Sequence, residues 1–141
     1  MTSERAVLVR YRLERARESL AEARLLLQAG HTNTFVNRLY YACFYAVSAA
    51  LLGEGKSAST HSGLRTLFHQ GLVKPGVVPI ELGRVYDTLF DSRQKGDYAD
   101  LVRFDVQAVR DWLPQAERLV QHLTDVTEGF LQAEGTDLEK A

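Results

Sequence analysis

A single cysteine excludes an intrachain disulfide, and Cys43 lies inside an apolar run, where a thiol reads as a small buried hydrophobe. Proline is scarce at three residues, so long stretches are free to run as helix. An excess of either charge is also missing. The 17 Lys and Arg residues stand against 18 Asp and Glu, a net charge of −1. That balance argues against a generic nucleic-acid binder with a basic surface, while leaving room for a local phosphate site. Zinc-ligand spacing, a Walker loop, a dinucleotide fingerprint and a nucleophile elbow are all absent, so no metal and no cofactor is expected. No signal-peptide pattern is read, and the expectation is a cytoplasmic chain with no membrane partner. The 141 residues, 45% hydrophobic, suit one domain with a real core.

What is present is organised around one stretch, Phe35 to Leu52. From Leu39 to Leu52 only Ser48 is polar apart from the tyrosine hydroxyls. A helix apolar on nearly every face has to be wrapped by other helices. The run is shorter than the roughly 20 residues a bilayer span needs, and its alanines favour helix over strand.

Before it, Ser3 to Ala29 reads as a helix with Ser3 as N-cap and Gly30 past its end. Val9, Leu13, Ala16, Leu20, Ala23 and Leu27 form its apolar stripe. A short turn follows, with Asn33 or Thr34 capping the central helix, so the first two helices are expected as an antiparallel hairpin. After a Gly- and Ser-rich loop, Thr60 or Ser59 caps a short helix from His61 to Gln70. Pro79 fits the first position of a fourth helix with the stripe Leu82, Val85, Tyr86, Leu89 and Phe90, ending between Arg93 and Gly96. A last helix starts near Phe104 or Asp105, and Pro114 either kinks it or, with Asp111 as cap, restarts it. Residues 1–129 are expected as one bundle and 130–141 as a frayed polar tail.

Three motifs stand in register. They are Arg38-Leu39-Tyr40-Tyr41-Ala42-Cys43-Phe44-Tyr45-Ala46, then Thr60-His61-Ser62-Gly63-Leu64 with Phe68, then Leu89-Phe90-Asp91-Ser92-Arg93 through Gly96-Asp97-Tyr98. In this order the chain from about residue 10 to 125 resembles the HEPN domain, in the prokaryotic subgroup with a YYAxF-like second helix and an R-x-x-x-D-Y motif. The resemblance implies an all-α antiparallel bundle of four to five helices, like the substrate-binding subunit of a nucleotidyltransferase. It also implies a homodimer, genetic pairing with a minimal nucleotidyltransferase in toxin–antitoxin or defence modules, and no DNA-specific binding. Many members are metal-independent ribonucleases with an R-x(4–6)-H motif. Here the positions where that histidine would fall hold Tyr98, Ala99 and Asp100, and the next histidine is His122.

The candidate catalytic residues are therefore Arg93, Asp97 and Tyr98, with His61 able to act from outside the motif. Arg93 is either a phosphate clamp or a helix-end residue paired with Asp91 or Asp97. Tyr98 is the position that resembles a tyrosine modified with AMP in some relatives. Asn37, Arg38 and Tyr41 are candidate binding residues of the same cleft, whereas His69 and His122 read as surface residues. The first functional expectation is a toxin-like or regulatory partner of a nucleotidyltransferase that binds a nucleotide or RNA phosphate. The alternatives are a metal-independent endoribonuclease with a degenerate site and a purely structural helical dimer.

Overall fold

A computed structural model describes the backbone of residues 2–98 and 102–140 and the side chains of 2–93 and 102–133. The cap of helix α1 (Ser3–Gln28) is Thr2, one residue before the Ser3 expected from sequence. Thr2, in extended conformation, accepts the Arg5 amide on its hydroxyl at 3.1 Å. Its stripe behaves as read: Val9, Leu13, Ala16, Leu20 and Ala23 are buried. Gly30, at φ +82°, turns the chain, and the His31 amide reaches back to the Leu26 carbonyl at 2.9 Å. Only glycine takes that left-handed conformation without penalty. The connection is so short that α2 (Thr32–Gly53) returns antiparallel to α1.

The residue at the N-cap of α2 is His31, and its side chain caps nothing. Asn33, expected as a cap, works at longer range. Its amide group donates to the Val102 carbonyl at 3.0 Å, and its carbonyl accepts the Phe104 amide at 2.9 Å. An Asn amide carries donor and acceptor side by side and so matches a passing backbone. At 22 residues α2 is long and apolar enough to cross a membrane, so length does not decide its setting as the sequence reading supposed. Burial does: 67% of its apolar window is enclosed by the rest of the chain. Helices α1, α4 and α6 all pack on it.

Thr60 caps α3 (His61–Phe68), its hydroxyl accepting the Gly63 amide at 2.9 Å. Where the helix was expected to continue to Gln70, the chain widens into a π turn, His69–Val73. Helix α4 (Ile80–Tyr98) approaches that turn closely at Gly83, where an added Cβ would lie 3.1 Å from a Val73 methyl. The α4 end also lies further on than the Arg93–Gly96 boundary, because residues read as loop-like continue the helix to Tyr98.

A short helix, α5 (Val106–Val109), precedes α6 (Trp112–Lys140). Pro114 thus sits in the first turn of a restarted helix, where its missing N–H leaves no bond unmade. Helix α6 runs on through Gly129, with Leu131 buried and Phe130 packed against Gly53, where a frayed tail was expected. The apolar contacts of those two residues supply what a polar tail lacks. The architecture is the expected all-α antiparallel bundle, and no strand occurs among the described residues.

Candidate functional site

Helical spacing on α2 places Tyr40 and Phe44 on one side, and on α4 places Tyr86, Phe90 and Arg93 in line. These two rows meet around His61, the first residue of α3. The Tyr40 and Tyr86 rings stack at 6.0 Å between centroids, and the His61 ring stacks on Phe44 at 4.6 Å. The Tyr40 hydroxyl and His61 Nδ1 share a hydrogen bond of 2.6 Å. Arg93 closes the cluster. Its guanidinium carbon lies 5.3 Å from the ring centres of both Tyr40 and Tyr41, and its Nη2 donates to the Tyr41 hydroxyl at 3.1 Å.

Tyr41 receives a second guanidinium. Arg38 lies 5.2 Å from its ring centre while Nη2 donates to the buried Ser19 hydroxyl at 3.2 Å. Arg38 Nε is buried and has no hydrogen-bond partner among the described residues. A buried donor left unmade in this way is uncommon and points to a group that would complete it. The carboxylates nearby are engaged elsewhere. Asp91, a candidate partner of Arg93, pairs with Arg65 at 3.3 Å, and Asp87 accepts from His69 at 2.9 Å.

Electrostatics follow from this burial. Desolvation first, and then the nearby Arg93 charge, hold the His61 imidazole below its ordinary pKa of 6.5, so it is neutral at pH 7. Burial raises the Tyr40 phenol, although a Tyr86 contact and the Arg93 charge oppose the rise. Burial raises the Tyr86 phenol more strongly, with Tyr40 adding to the effect, and its hydroxyl makes no well-aligned hydrogen bond of its own. Both phenols therefore stay protonated at neutral pH. With Tyr40 as donor, Nδ1 of His61 accepts and Nε2 carries the ring proton. The site thus combines two fixed cations, a neutral imidazole and phenol donors.

Of the residues singled out from sequence, the structure brings Arg93, Arg38, Tyr41 and His61 together. Asn37 is half-buried one turn before Tyr41. The side chains of Asp97 and Tyr98 lie outside the described residues. His69 and His122, read as surface residues, are partly exposed and each is bonded, His122 to the Val77 carbonyl at 2.8 Å. Tyr40 and Tyr86 were missed because an aromatic at helical spacing reads as core. The i,i+4 pairs Tyr40–Phe44 and Tyr86–Phe90 were the available signal. No group of three or more metal-ligating side chains occurs among the described residues.

Comparisons with known proteins place the chain in a family. The family model of the HEPN domain matches residues 9–126. A UPF0332 protein of Thermotoga maritima is 41% identical over 131 residues, covering 93% of this chain and 99% of its own. A UPF0332 protein of Gloeobacter violaceus is 40% identical over 86 residues, 61% of this chain and 68% of that one. A protein of Methanocaldococcus jannaschii named a putative toxin is 30% identical over 86 residues, 61% of this chain and 58% of that one.

Proposed function

This chain belongs to the HEPN domain family, and on that footing we propose that it is a toxin-like, regulatory protein working with a separate minimal nucleotidyltransferase. In this reading a nucleotide or RNA phosphate binds in the cleft between α2, α3 and α4. The observation that carries it is the pair of guanidiniums, Arg93 and Arg38, held on one phenol ring beside a neutral histidine. Guanidinium forks match phosphate oxygens two at a time, and aromatic faces hold the forks in place. The name of the M. jannaschii relative supports the toxin-like part of the reading. The test is binding of AMP and of a short RNA by calorimetry, with Arg93→Ala expected to weaken affinity about tenfold or more, the scale of a lost charge-assisted hydrogen bond. Unchanged affinity would make Arg93 a fastener of the bundle. Co-purification with an adjacent nucleotidyltransferase tests the partnership. Intact mass after incubation with that enzyme and ATP tests Tyr98 as an AMP acceptor, a gain abolished in Tyr98→Phe being the expected result.

One observation favours a second reading, a metal-independent ribonuclease: His61 lies in the Arg93 cluster although it is remote from the motif in sequence. In the other tautomer, with Nδ1–H donating to the Tyr40 oxygen, neutral His61 would accept the 2′-hydroxyl proton at Nε2 as that oxygen attacks phosphorus. Arg93 would balance the growing charge while the 5′-oxygen leaves and takes a proton from solvent water, giving a 2′,3′-cyclic phosphate and a 5′-hydroxyl. RNA cleavage that resists EDTA and is lost in both Arg93→Ala and His61→Gln is the expected signature. A homodimer, read from the family, should show as a doubled mass in sedimentation.

A further inference from the structure

On the other side of His61 lies a pocket of about 240 Å³ between α1, the C-terminal half of α2 and the loop entering α3. Arg12, Ser48, Ser57, Ser59, Thr60 and His61 line it, and none of its lining residues is acidic. Arg12 is half-buried and makes no ion pair among the described residues; burial alone holds its guanidinium below the usual arginine value. An arginine gives up hydration in this way only where packing or a ligand offsets the loss. Ser48 is 95% buried, counted from its 5% exposure, and its hydroxyl makes no hydrogen bond among the described residues. A mid-helix serine ordinarily bonds the carbonyl one turn back. This one is left with its capacity for a guest.

The third element is the start of α3. Thr60 Oγ1 takes the Gly63 amide and the Thr60 carbonyl takes the Leu64 amide, so the amides of His61 and Ser62 have no partner among the described residues. Unused amides at a helix start, under the positive end of the dipole, favour a tetrahedral anion. The larger groove between α1 and α6 has no such half-buried unpaired arginine, its Arg118 being exposed. Its Arg24 is paired with Glu117 at 3.4 Å, and its Arg17 with Glu14 at 3.2 Å.

We propose that this pocket is a second anion site, taking a phosphate group on the Arg12 guanidinium, the Ser48 hydroxyl and the His61 amide. It shares His61 and Phe44 with the Arg93 cleft, and none of the cleft's arginines. The phosphate belongs either to a free mononucleotide or to the backbone of a bound RNA.

The test is a titration of the full ¹⁵N-labelled chain at low salt with inorganic phosphate, followed by amide shifts, then with AMP and with a short single-stranded RNA. The expected result is a saturable shift at the His61 amide. Arg12→Gln should weaken it about tenfold and Ser48→Ala a few-fold, both with unchanged thermal unfolding, while Arg93→Ala leaves it in place. AMP binding more tightly than the RNA assigns the site to a free nucleotide; the reverse assigns it to an RNA backbone. No saturable shift at that amide, or an unaltered one in Arg12→Gln, overturns the proposal. Loss of cleft binding in Arg93→Ala with the pocket shift retained would separate this site from the cleft, and failure of the cleft alone would leave this site standing.

Discussion

Two buried clusters hang on α2, about two turns apart. One joins Val9 and Leu13 of α1 to Ala49 of α2 and Leu131 of α6, and all four are apolar. The other joins Tyr40 of α2, His61 of α3 and Tyr86 and Arg93 of α4 through rings, one short hydrogen bond and a cation. The first is held by area removed from water and tolerates no void, but it has nothing to offer a ligand. The second encloses polar groups whose partners must be kept, a demanding way to hold a core unless the groups have work to do. Burial alone, therefore, does not separate scaffold from site; the chemistry of what is buried does.

The largest effect expected on stability is at the first cluster. Leu13→Ala should remove about 3 kcal/mol, since Leu13 is 2% exposed and the cavity cannot collapse between helices. Urea denaturation measures it, and phosphate affinity of the folded protein should be unchanged. Loss of binding in this variant would erase the contrast between the clusters.

At the second cluster, Tyr40→Phe removes the 2.6 Å bond to His61 while keeping the ring stack. A loss of about 1 kcal/mol is expected, with the His61 side-chain signals of a histidine NMR titration displaced. An unmoved His61 would mean the bond does not position the imidazole.

His61 also gives a pH signature. Its pKa is lowered in the folded chain from the ordinary 6.5, so below that pH the unfolded state binds the proton first. The stability linked to neutral His61 is present above pH 6.5 and is lost as pH falls from there through the folded-state value. Unfolding midpoints compared from pH 7.5 to 5 should fall less steeply in His61→Gln than in the parent chain. Equal slopes would remove burial as the cause.

The smallest effect lies away from both clusters. Gly129 sits inside α6 with open space around it, so Gly129→Ala should stabilise by about 0.5–1 kcal/mol. A thermal shift upward supports a helix continuous through that position, and no shift argues for fraying.

Much of the bundle was legible beforehand because its signals are local. The stripe from Val9 to Ala23, the glycine turn at Gly30 and the Thr60 cap follow from period and side-chain chemistry within one turn of helix. Boundaries failed where a distant partner decides. Asn33 is used up on Val102 and Phe104, and Phe130 and Leu131 extend α6 because Gly53 and the α1 face receive them. Arg93, Arg38, Tyr41 and His61 were each nameable from the motifs. That Tyr40 and Tyr86 stand between them was hidden, because a buried tyrosine has the same spacing as a buried phenylalanine.

That this chain is helical, that α2 must be enclosed and that no disulfide staples it inside the chain follows from the residues alone, because periodicity, apolar content and a lone cysteine act through neighbours along the chain. Which groups share a space depends on the packing of the helices. It turned Asp91 toward Arg65 and Arg93 toward the tyrosines, and it set His61 between an aromatic cluster and an arginine-lined pocket. Those placements depend on how three helices cross, and a crossing is fixed by side chains far apart in the chain.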